Sequence, residues 1–190
     1  MINVFDKKFS LYISQADILK RVDVLATQIS NELSGKDIIF LGILNGSFMF
    51  TSDLMKRINM PCQITFLKLA SYQGTSTSGN VKRLIGLNED IAGKTVVVIE
   101  DIVDTGTTLE QIRKQLIGYE PAEVKYATLL YKPQAYKGNI KLDYVGFEIP
   151  DKFVVGYGLD YSGFGRNYPI FTLFQNSNNS KKTLCRIQIL

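Results

Sequence analysis

Hydrophobic residues along the chain follow two kinds of spacing, which predicts an alternation of helices and strands. Apolar positions recur every three or four residues after Ser14, which predicts a capped amphipathic helix that ends before Gly35. The continuous apolar run at 38–44 predicts a buried strand, and a short polar turn leads from it into a second helix that extends to Ile58. Another strand is predicted at about 63–69.

The alternation continues in the second half of the chain. A strand is predicted at 95–100, an amphipathic helix at 106–118 and a further strand at 124–130. This order predicts an α/β fold with a mainly parallel central sheet that is flanked by helices. Between 143 and 159, short strand-like pieces without a helix predict a small hood or flap subdomain beside the main sheet.

Composition predicts one domain followed by a polar tail. The chain has 190 residues and is 45% hydrophobic, which is enough for one full core, and no linker or repeat interrupts residues 1–174. The segment 175–190 starts with a run rich in Asn and Ser and is predicted to be loosely ordered. The loop at 71–80 is rich in Ser, Thr and Gly and is predicted to be mobile.

Charge and residue counts exclude several classes of function. The net charge of +4 is carried mostly by the tail, so the rest of the chain is nearly neutral, which argues against nucleic acid as a partner. The sequence contains no histidine, which excludes Ser-His-Asp catalysis and histidine-based metal sites. Two distant cysteines and the lack of a long apolar segment predict a cytoplasmic protein that does not bind membranes.

Three carboxylates and a Gly/Thr-rich turn follow the apolar run at 96–99. Because open α/β sheets bind ligands at the carboxyl ends of their strands, these groups are expected at a binding edge. Glu100 and Asp101 suit two neighbouring hydroxyls or a divalent metal, and the N–H groups at the start of the next helix suit a phosphate. Two neighbouring hydroxyls beside a phosphate are the groups of a ribose 5-phosphate, so the residues predict a site for such a ligand. The alternative is a solvated acidic strand end, in which three neighbouring acids would repel each other without a bound cation.

The stretch from Val96 to Thr108 resembles the phosphoribosyl pyrophosphate-binding motif of the type I phosphoribosyltransferases: an apolar strand, Glu-Asp, two apolar residues and Asp-Thr-Gly-x-Thr. The chain is most similar to the hypoxanthine and hypoxanthine-guanine members, over about residues 5–174. The resemblance implies the fold of that family and a purine salvage reaction. A 5-phosphoribosyl group passes from phosphoribosyl pyrophosphate to N9 of hypoxanthine, and also of guanine, which yields IMP or GMP and pyrophosphate.

Two loops carry the same resemblance. The segment 42–48 is similar to the family's pyrophosphate-binding loop, whose non-proline cis peptide bond would lie between Leu44 and Asn45 here. The family often has Lys or Arg at the position of Asn45, so one positive charge against pyrophosphate is missing. Ser71 and Tyr72 begin a loop that is similar to the flap that closes over the active site and excludes water.

Three later segments extend the resemblance to the purine and to pyrophosphate. Lys132 matches the lysine that donates to O6 of the purine, which selects a 6-oxopurine because the 6-amino group of adenine does not accept that bond. Phe153 matches an aromatic residue that stacks on the base, and the backbone of Val154 matches the group that pairs with the base edge. Asp160 and Arg166 match residues that hold metal-bound pyrophosphate.

The resemblance implies one catalytic residue, Asp104, as the proton acceptor at N7 of the purine, and Mg²⁺ as the cofactor. The implied metal ligands are Glu100, Asp101 and Asp160. The implied substrate-binding residues are Leu44, Asn45, Gly46, Ser71, Tyr72, Glu100, Asp101, Asp104, Thr105, Gly106, Thr107, Thr108, Lys132, Phe153, Val154, Asp160 and Arg166. The implied partners are phosphoribosyl pyrophosphate, a 6-oxopurine base, pyrophosphate, IMP or GMP, and further copies of the chain in a homodimer or homotetramer.

Two other functions remain as alternatives at this stage. One is a related transferase that prefers guanine and xanthine, because the contacts to position 2 of the base come from the backbone. The other is a non-catalytic regulator that senses phosphoribosyl pyrophosphate and binds nucleic acid, which should carry a basic surface.

Overall fold

The computed structural model describes residues 1–70, 82–85, 87, 89–175 and 188–189. Helices in these ranges are α1 (Gln15–Glu32), α2 (Phe48–Met55) and α3 (Thr107–Ile117), and none of them is long and apolar enough to cross a membrane. The strands are β1 (Ile2–Val4), β2 (Lys7–Ile13), β3 (Ile38–Leu44), β4 (Gln63–Ala70), β5 (Lys82–Ile85), β6 (Thr95–Val103), β7 (Glu123–Tyr131), β8 (Tyr144–Glu148), β9 (Val154–Val155), β10 (Phe171–Phe174) and β11 (Gln188–Ile189).

The larger sheet has the strand order β11-β8-β7-β6-β3-β4-β5. Its five inner strands are parallel to one another, and β11 and β5 are antiparallel at the two edges. The central strands β3 and β6 are nearly continuous apolar runs because both faces of this sheet are covered. The prediction of an α/β fold with a mainly parallel central sheet is confirmed.

Both faces of the large sheet carry a hydrophobic core. Along β3, Ile38 and Phe40 pack into the core under α1 and α2, whereas Ile39 and Leu41 pack into the core under α3. This alternation follows from the two-residue period of a strand. At the start of α1, the Ser14 hydroxyl accepts the backbone N–H of Asp17 at 3.2 Å, which confirms the predicted cap.

A second, antiparallel sheet forms the hood, with the order β1-β2-β10-β9. The prediction that all of 143–159 lies in a flap beside the main sheet is wrong for β8. That strand pairs with β7 inside the main sheet, because Tyr144 and Phe147 are buried in the core beneath α1. Only β9, from this segment, belongs to the hood.

Two predicted element ends also differ from the structure. Helix α2 ends at Met55 rather than at Ile58. Strand β6 extends to Val103 rather than to residue 100, because Ile102 and Val103 continue the pairing with β7. Consequently, Glu100 and Asp101 lie inside the final part of a strand and not after its end.

Candidate active site

The two acids of β6 lie where the strand projects beyond its neighbour β3. Pairing with β3 stops at Ile99, whereas pairing with β7 continues to Val103. Glu100 is only 5% exposed, and burial, together with the adjacent charge of Asp101, raises the pKa of Glu100 well above its usual range. Burial also raises the pKa of Asp101 to about 6, although its carboxylate accepts the N–H of Ile102 at 2.8 Å. A buried and a partly buried carboxylate on adjacent residues favour a cation or hydroxyl donors as ligands.

The turn after β6 encloses a cleft of about 230 Å³, which is lined by residues 100–109. Gly106, the residue before α3, has φ +89°, a conformation that favours glycine, and a Cβ there would overlap the ring of Tyr136. Gly106 has no side chain to cap α3, and the N–H of Thr107 makes only a long bond, of 3.5 Å, to the Thr105 hydroxyl, so the first N–H groups of the helix can bind an anion. The exposed hydroxyls of Thr105 and Thr107 are 3.0 Å apart beside them.

Lys132 lies directly after β7, with a side chain that is 9% exposed. Its ammonium donates to Oδ2 of Asp104 at 2.8 Å and to Oδ1 of Asp151 at 3.0 Å. Burial lowers the pKa of Lys132, but the bonds and charges of the two carboxylates outweigh that effect, and the net shift is upward. The ammonium therefore stays charged, and two of its three N–H groups bind carboxylates.

The loop after β3 lies against the acids of β6. The peptide bond between Leu44 and Asn45 is cis, as the resemblance implied. The Asn45 side chain is exposed, and the buried hydroxyl of Ser47 donates to the carbonyl of Ile43 at 2.7 Å. Gly46 packs so closely on Asp101 that a Cβ at this position would overlap the carboxylate. Any larger residue at Gly46 would displace Asp101.

The segment after β9 closes the other side of this loop. A Cβ at Gly158 would overlap the carbonyl oxygen of Gly46, so the two backbones are in direct contact. Arg166 donates to the carbonyl of Gly158 at 2.6 Å and pairs with Asp160 at 2.5 Å. The charges of both side chains reach Asp101, where Arg166 lowers the pKa and Asp160 raises it. The structure thus brings the two predicted pyrophosphate segments to the acids of β6.

The segment that the resemblance assigns to the purine lies beside Lys132. The bond between Lys132 and Asp151, two residues before Phe153, connects the two. The Phe153 ring is 48% exposed and its edge packs against Tyr161, with ring centres 5.9 Å apart and planes at 83°. Val154 is buried in β9, where it pairs with Leu173. A half-exposed aromatic ring can stack on a flat base.

The donors near β6 fit Mg²⁺, although they do not form a complete cage. Among the residues that the structure describes, no three Asp, Glu, Cys or His side chains form a group that could hold a metal. Asp160 pairs with Arg166 and accepts the N–H of Gly163 at 2.7 Å. Mg²⁺ is commonly held by one or two carboxylates plus substrate phosphates and water, and Glu100 and Asp101 supply such oxygen donors.

The remaining differences from the sequence-based prediction of the site concern Ser71, Tyr72 and Asp151. Ser71 and Tyr72 lie outside the described residues. Asp151, in contrast, was not predicted as a site residue, although its carboxylate holds Lys132. Its position just before Phe153 was the available indication, but a contact between residues 19 apart in sequence depends on the fold and not on local spacing.

A larger cavity, of about 570 Å³, lies at the opposite end of β7. It is lined by residues such as Arg113, Glu123 and Tyr126, and shares none with the cleft at 100–109. Parallel sheets bind ligands at the carboxyl ends of their strands, so the smaller cleft is the better candidate for the active site.

Sequence comparison agrees with this geometry. Residues 12–162 match the model of the phosphoribosyl transferase domain. The hypoxanthine phosphoribosyltransferase of Escherichia coli K12 is 42% identical over 160 residues, which cover 83% of this chain and 90% of that protein. The hypoxanthine-guanine phosphoribosyltransferase of Staphylococcus aureus Mu50 is 42% identical over 158 residues, which cover 83% and 88%.

Solved structures share the fold. A hypoxanthine-guanine phosphoribosyltransferase from Bacillus anthracis superposes with a TM-score of 0.82 at 37% identity and covers 92% of this chain and all of its own. A hypoxanthine phosphoribosyltransferase from Staphylococcus aureus gives a TM-score of 0.82 at 40% identity and covers 90% of this chain and 92% of its own. With the domain match over most of its length and these relatives, the chain belongs to the phosphoribosyl transferase family.

Proposed function

We propose that this enzyme transfers the 5-phosphoribosyl group of phosphoribosyl pyrophosphate to N9 of hypoxanthine, and also of guanine. The products are IMP or GMP and pyrophosphate, and the reaction serves purine salvage. The observation that carries the proposal is the contact between Lys132 and Asp104 beside the anion-binding turn. The ammonium and the carboxylate lie together at the edge where a ribose phosphate would bind, which supports the proposed roles of Lys132 as donor and of Asp104 as proton acceptor. Relatives at 42% identity carry the corresponding names.

In this proposal, Lys132 and Asp104 act on the purine. Lys132 donates its remaining N–H to O6, and this bond rejects adenine because an amino group is not an acceptor. As the bond between C1′ and pyrophosphate breaks and the bond between C1′ and N9 forms, Asp104 accepts the proton at N7. Phe153 stacks on the base, and the backbone of Val154 pairs with its edge.

The remaining residues bind the sugar and the two phosphate groups. The N–H groups and hydroxyls of 105–108 hold the 5′-phosphate, and Glu100 and Asp101 hold the ribose hydroxyls. The backbone of Leu44, Asn45 and Gly46 binds pyrophosphate together with Asp160 and Arg166. Bound Mg²⁺ would supply positive charge for the departing pyrophosphate, with Glu100 and Asp101 as proposed ligands on the ribose side and Asp160 as a proposed ligand on the pyrophosphate side.

Three further features belong to the same proposal. Ser71 and Tyr72 begin the flap that excludes water, which competes with the purine for the ribosyl carbon. Asn45 is uncharged, so backbone N–H groups bind pyrophosphate there, and we expect weaker affinity than a Lys or Arg at this position would give. The enzyme acts in the cytoplasm as a homodimer or homotetramer, which light scattering on the purified protein would test.

The decisive experiment compares hypoxanthine, guanine, xanthine and adenine in parallel as acceptors. With phosphoribosyl pyrophosphate and Mg²⁺, we expect nucleotide and pyrophosphate from hypoxanthine and guanine and no product from adenine. Chelation of Mg²⁺ should abolish turnover, and renewed Mg²⁺ should restore it. A higher kcat/KM for guanine and xanthine than for hypoxanthine would favour the alternative transferase. Tight RNA or DNA binding without pyrophosphate release would favour a regulator, which the nearly neutral body of the chain does not support.

A further inference from the structure

A partly buried hydrogen bond connects the two sides of the proposed pyrophosphate site. The hydroxyl of Tyr157 donates to Oδ2 of Asp53 at 2.7 Å, across 104 residues of sequence. Tyr157 is 1% exposed and lies just before Gly158, and Asp53 lies on α2, the helix that follows the loop at 44–47. Neither residue has a role in the chemistry described above.

The backbone of Tyr157 requires such a contact. Its φ is +45°, a left-handed conformation that is rare for a bulky residue and that persists only where neighbouring contacts hold it. The backbone N–H donates to Tyr168 at 2.8 Å, and the ring packs edge-on against Phe171 with centres 5.6 Å apart. The bond to Asp53 adds a hydrogen bond between this turn and α2, whose Phe50 and Leu54 lie in the same hydrophobic core as Tyr157.

The position of Tyr157 is transmitted directly to the groups around pyrophosphate. The next residue, Gly158, touches the carbonyl oxygen of Gly46. Gly158 also exchanges two hydrogen bonds with Arg166, one through its N–H at 3.0 Å and one through its carbonyl at 2.6 Å. Movement of Tyr157 would therefore shift both Gly46 and Arg166.

We propose that Asp53 and Tyr157 are positioning residues, whose hydrogen bond holds the turn at 156–160 against the loop at 44–47 in the geometry that binds pyrophosphate. The inference rests on the proposed function, because it assigns pyrophosphate to these two segments. Burial and the bond to Asp53 raise the pKa of Tyr157, so the phenol remains protonated and able to donate at neutral pH. The bond is therefore present under assay conditions near pH 7.

Tyr157→Phe removes the hydroxyl and keeps the buried ring. We expect KM for phosphoribosyl pyrophosphate, and the Kd for pyrophosphate measured by calorimetry with Mg²⁺, to rise about tenfold, the effect of one lost hydrogen bond to a charged group. KM for hypoxanthine should change less than about twofold, because Lys132 and Phe153 do not contact this bond. The matched control is Tyr144→Phe, which removes the hydroxyl of another tyrosine that is 1% exposed, in β8. Its constants should equal those of the wild type.

Substitutions at Asp53 test the same bond from its other end. Asp53→Leu removes the acceptor and should reproduce Tyr157→Phe, whereas Asp53→Asn keeps an acceptor oxygen and should recover most of the affinity. Asp53 also pairs with Lys56 at 3.0 Å, so Lys56→Ala serves as the control for that second contact and should have no effect. If Tyr157→Phe does not fold, the pair of Asp53 variants carries the test.

Unchanged affinity for pyrophosphate in Tyr157→Phe and Asp53→Leu would overturn the proposal, even if both variants melt at lower temperature. An equal rise of both KM values would also overturn it, because general loosening of the site would explain that result. Calorimetry with pyrophosphate distinguishes failure of the positioning role from failure of the proposed function. A wild type that binds pyrophosphate but does not use hypoxanthine would refute the assigned reaction and leave the positioning role testable.

Discussion

At the scale of single residues, the two carboxylates that bind Lys132 have different proposed roles. Both contribute charge, but only Asp104 is the proposed proton acceptor. Asp104 and Asp151 both bind the ammonium, at 2.8 and 3.0 Å, and both help to raise its pKa. Of the two, only Asp104 adjoins the turn at 105–108 and lines the cleft at 100–109. The sequence predicted Asp104 and Lys132 separately through resemblance. It did not predict Asp151, because that contact forms only when the chain after β8 returns to the end of β7.

Asp104→Asn should lower kcat for IMP formation roughly 100- to 1000-fold, because an amide does not accept the purine proton during transfer. Affinity for IMP should fall much less, since an amide oxygen can still accept a bond from Lys132. Steady-state kinetics and calorimetry with IMP would measure the two effects.

The matched control is Asp151→Asn, which removes the same charge from Lys132 but leaves the proposed proton acceptor in place. We expect its kcat to fall less than about tenfold, because the Asp151 side chain is 61% exposed and an ion pair to such a carboxylate contributes about 1 kcal/mol or less. Equal losses of kcat in the two variants would refute the catalytic assignment of Asp104 and indicate that both carboxylates act only through Lys132.

Lys132→Met should weaken discrimination between hypoxanthine and adenine. The variant loses the donor to O6, so kcat/KM for hypoxanthine should fall roughly 100-fold while the low value for adenine does not fall. The ratio of the two values in a competition assay is the measurement. Lys125→Met removes another partly buried lysine, which pairs with Glu123 and Asp143 near the opposite end of β7, and should leave the ratio unchanged. A preserved ratio in Lys132→Met would show that another group recognises O6.

At the scale of elements, apolar periodicity predicted the parts of the chain that are buried on regular faces. The predicted strand at 38–44 coincides with β3, because its side chains alternate between the two cores. The same method misplaced β8, whose five residues are too few to distinguish a sheet interior from a hood. The end of β6 was also misplaced, because acids inside a buried strand contradict the usual pattern, and here they form the site.

The loop at 44–47 and the turn at 156–160 are in close backbone contact, and we expect substrate binding to depend on that contact. Gly158→Ala adds a methyl group that overlaps the carbonyl of Gly46, and Gly158 has φ +100°. We expect a rise of at least about tenfold in KM for phosphoribosyl pyrophosphate, because the loop and the turn must separate. Unfolding in urea should show destabilisation of roughly 1 to 3 kcal/mol.

Gly35→Ala is the control for Gly158→Ala, because it replaces a glycine of positive φ without creating a steric overlap. Gly35 follows α1, has φ +80°, and a Cβ there would meet no atom within 4 Å. Its substitution should destabilise the protein by about 1 kcal/mol and leave both KM values unchanged. If Gly158→Ala showed the same kinetic constants as Gly35→Ala, the contact with Gly46 would have no role in substrate binding.

At the scale of the whole molecule, the candidate site is assembled from four segments that are distant in sequence. Each segment could be predicted separately, because the acids at 100–104 and the loop at 44–47 have local patterns. Their arrangement depends on the strand order, which places β3, β6 and β7 side by side, and on the segments that precede and follow β9 of the hood, which supply Phe153 and Arg166. No local pattern specifies those distances, so the contacts of Gly46 with Asp101 and Gly158 required the fold.

The last prediction concerns the boundary between the domain and the tail. A chain that ends at Gln175 should fold and retain its kinetic constants, because every buried hydrophobic side chain among the described residues lies at or before Phe171. Gln175 itself is bound to the hood through Ser10 at 2.7 Å and Lys8 at 3.1 Å. The truncation removes β11, which is two residues long, and with it the pairing of β11 with β8.

The lost backbone bonds are worth about 1 to 2 kcal/mol, so we expect Tm to fall by roughly 2–8 °C in thermal unfolding. The control is a chain that ends at Ile170, which also lacks β10 and therefore the fully buried Phe171; this chain should not fold. Loss of cooperative unfolding in the chain that ends at Gln175 would contradict the boundary. In that case residues 176–190 would be part of the core, and the domain would extend beyond residue 174.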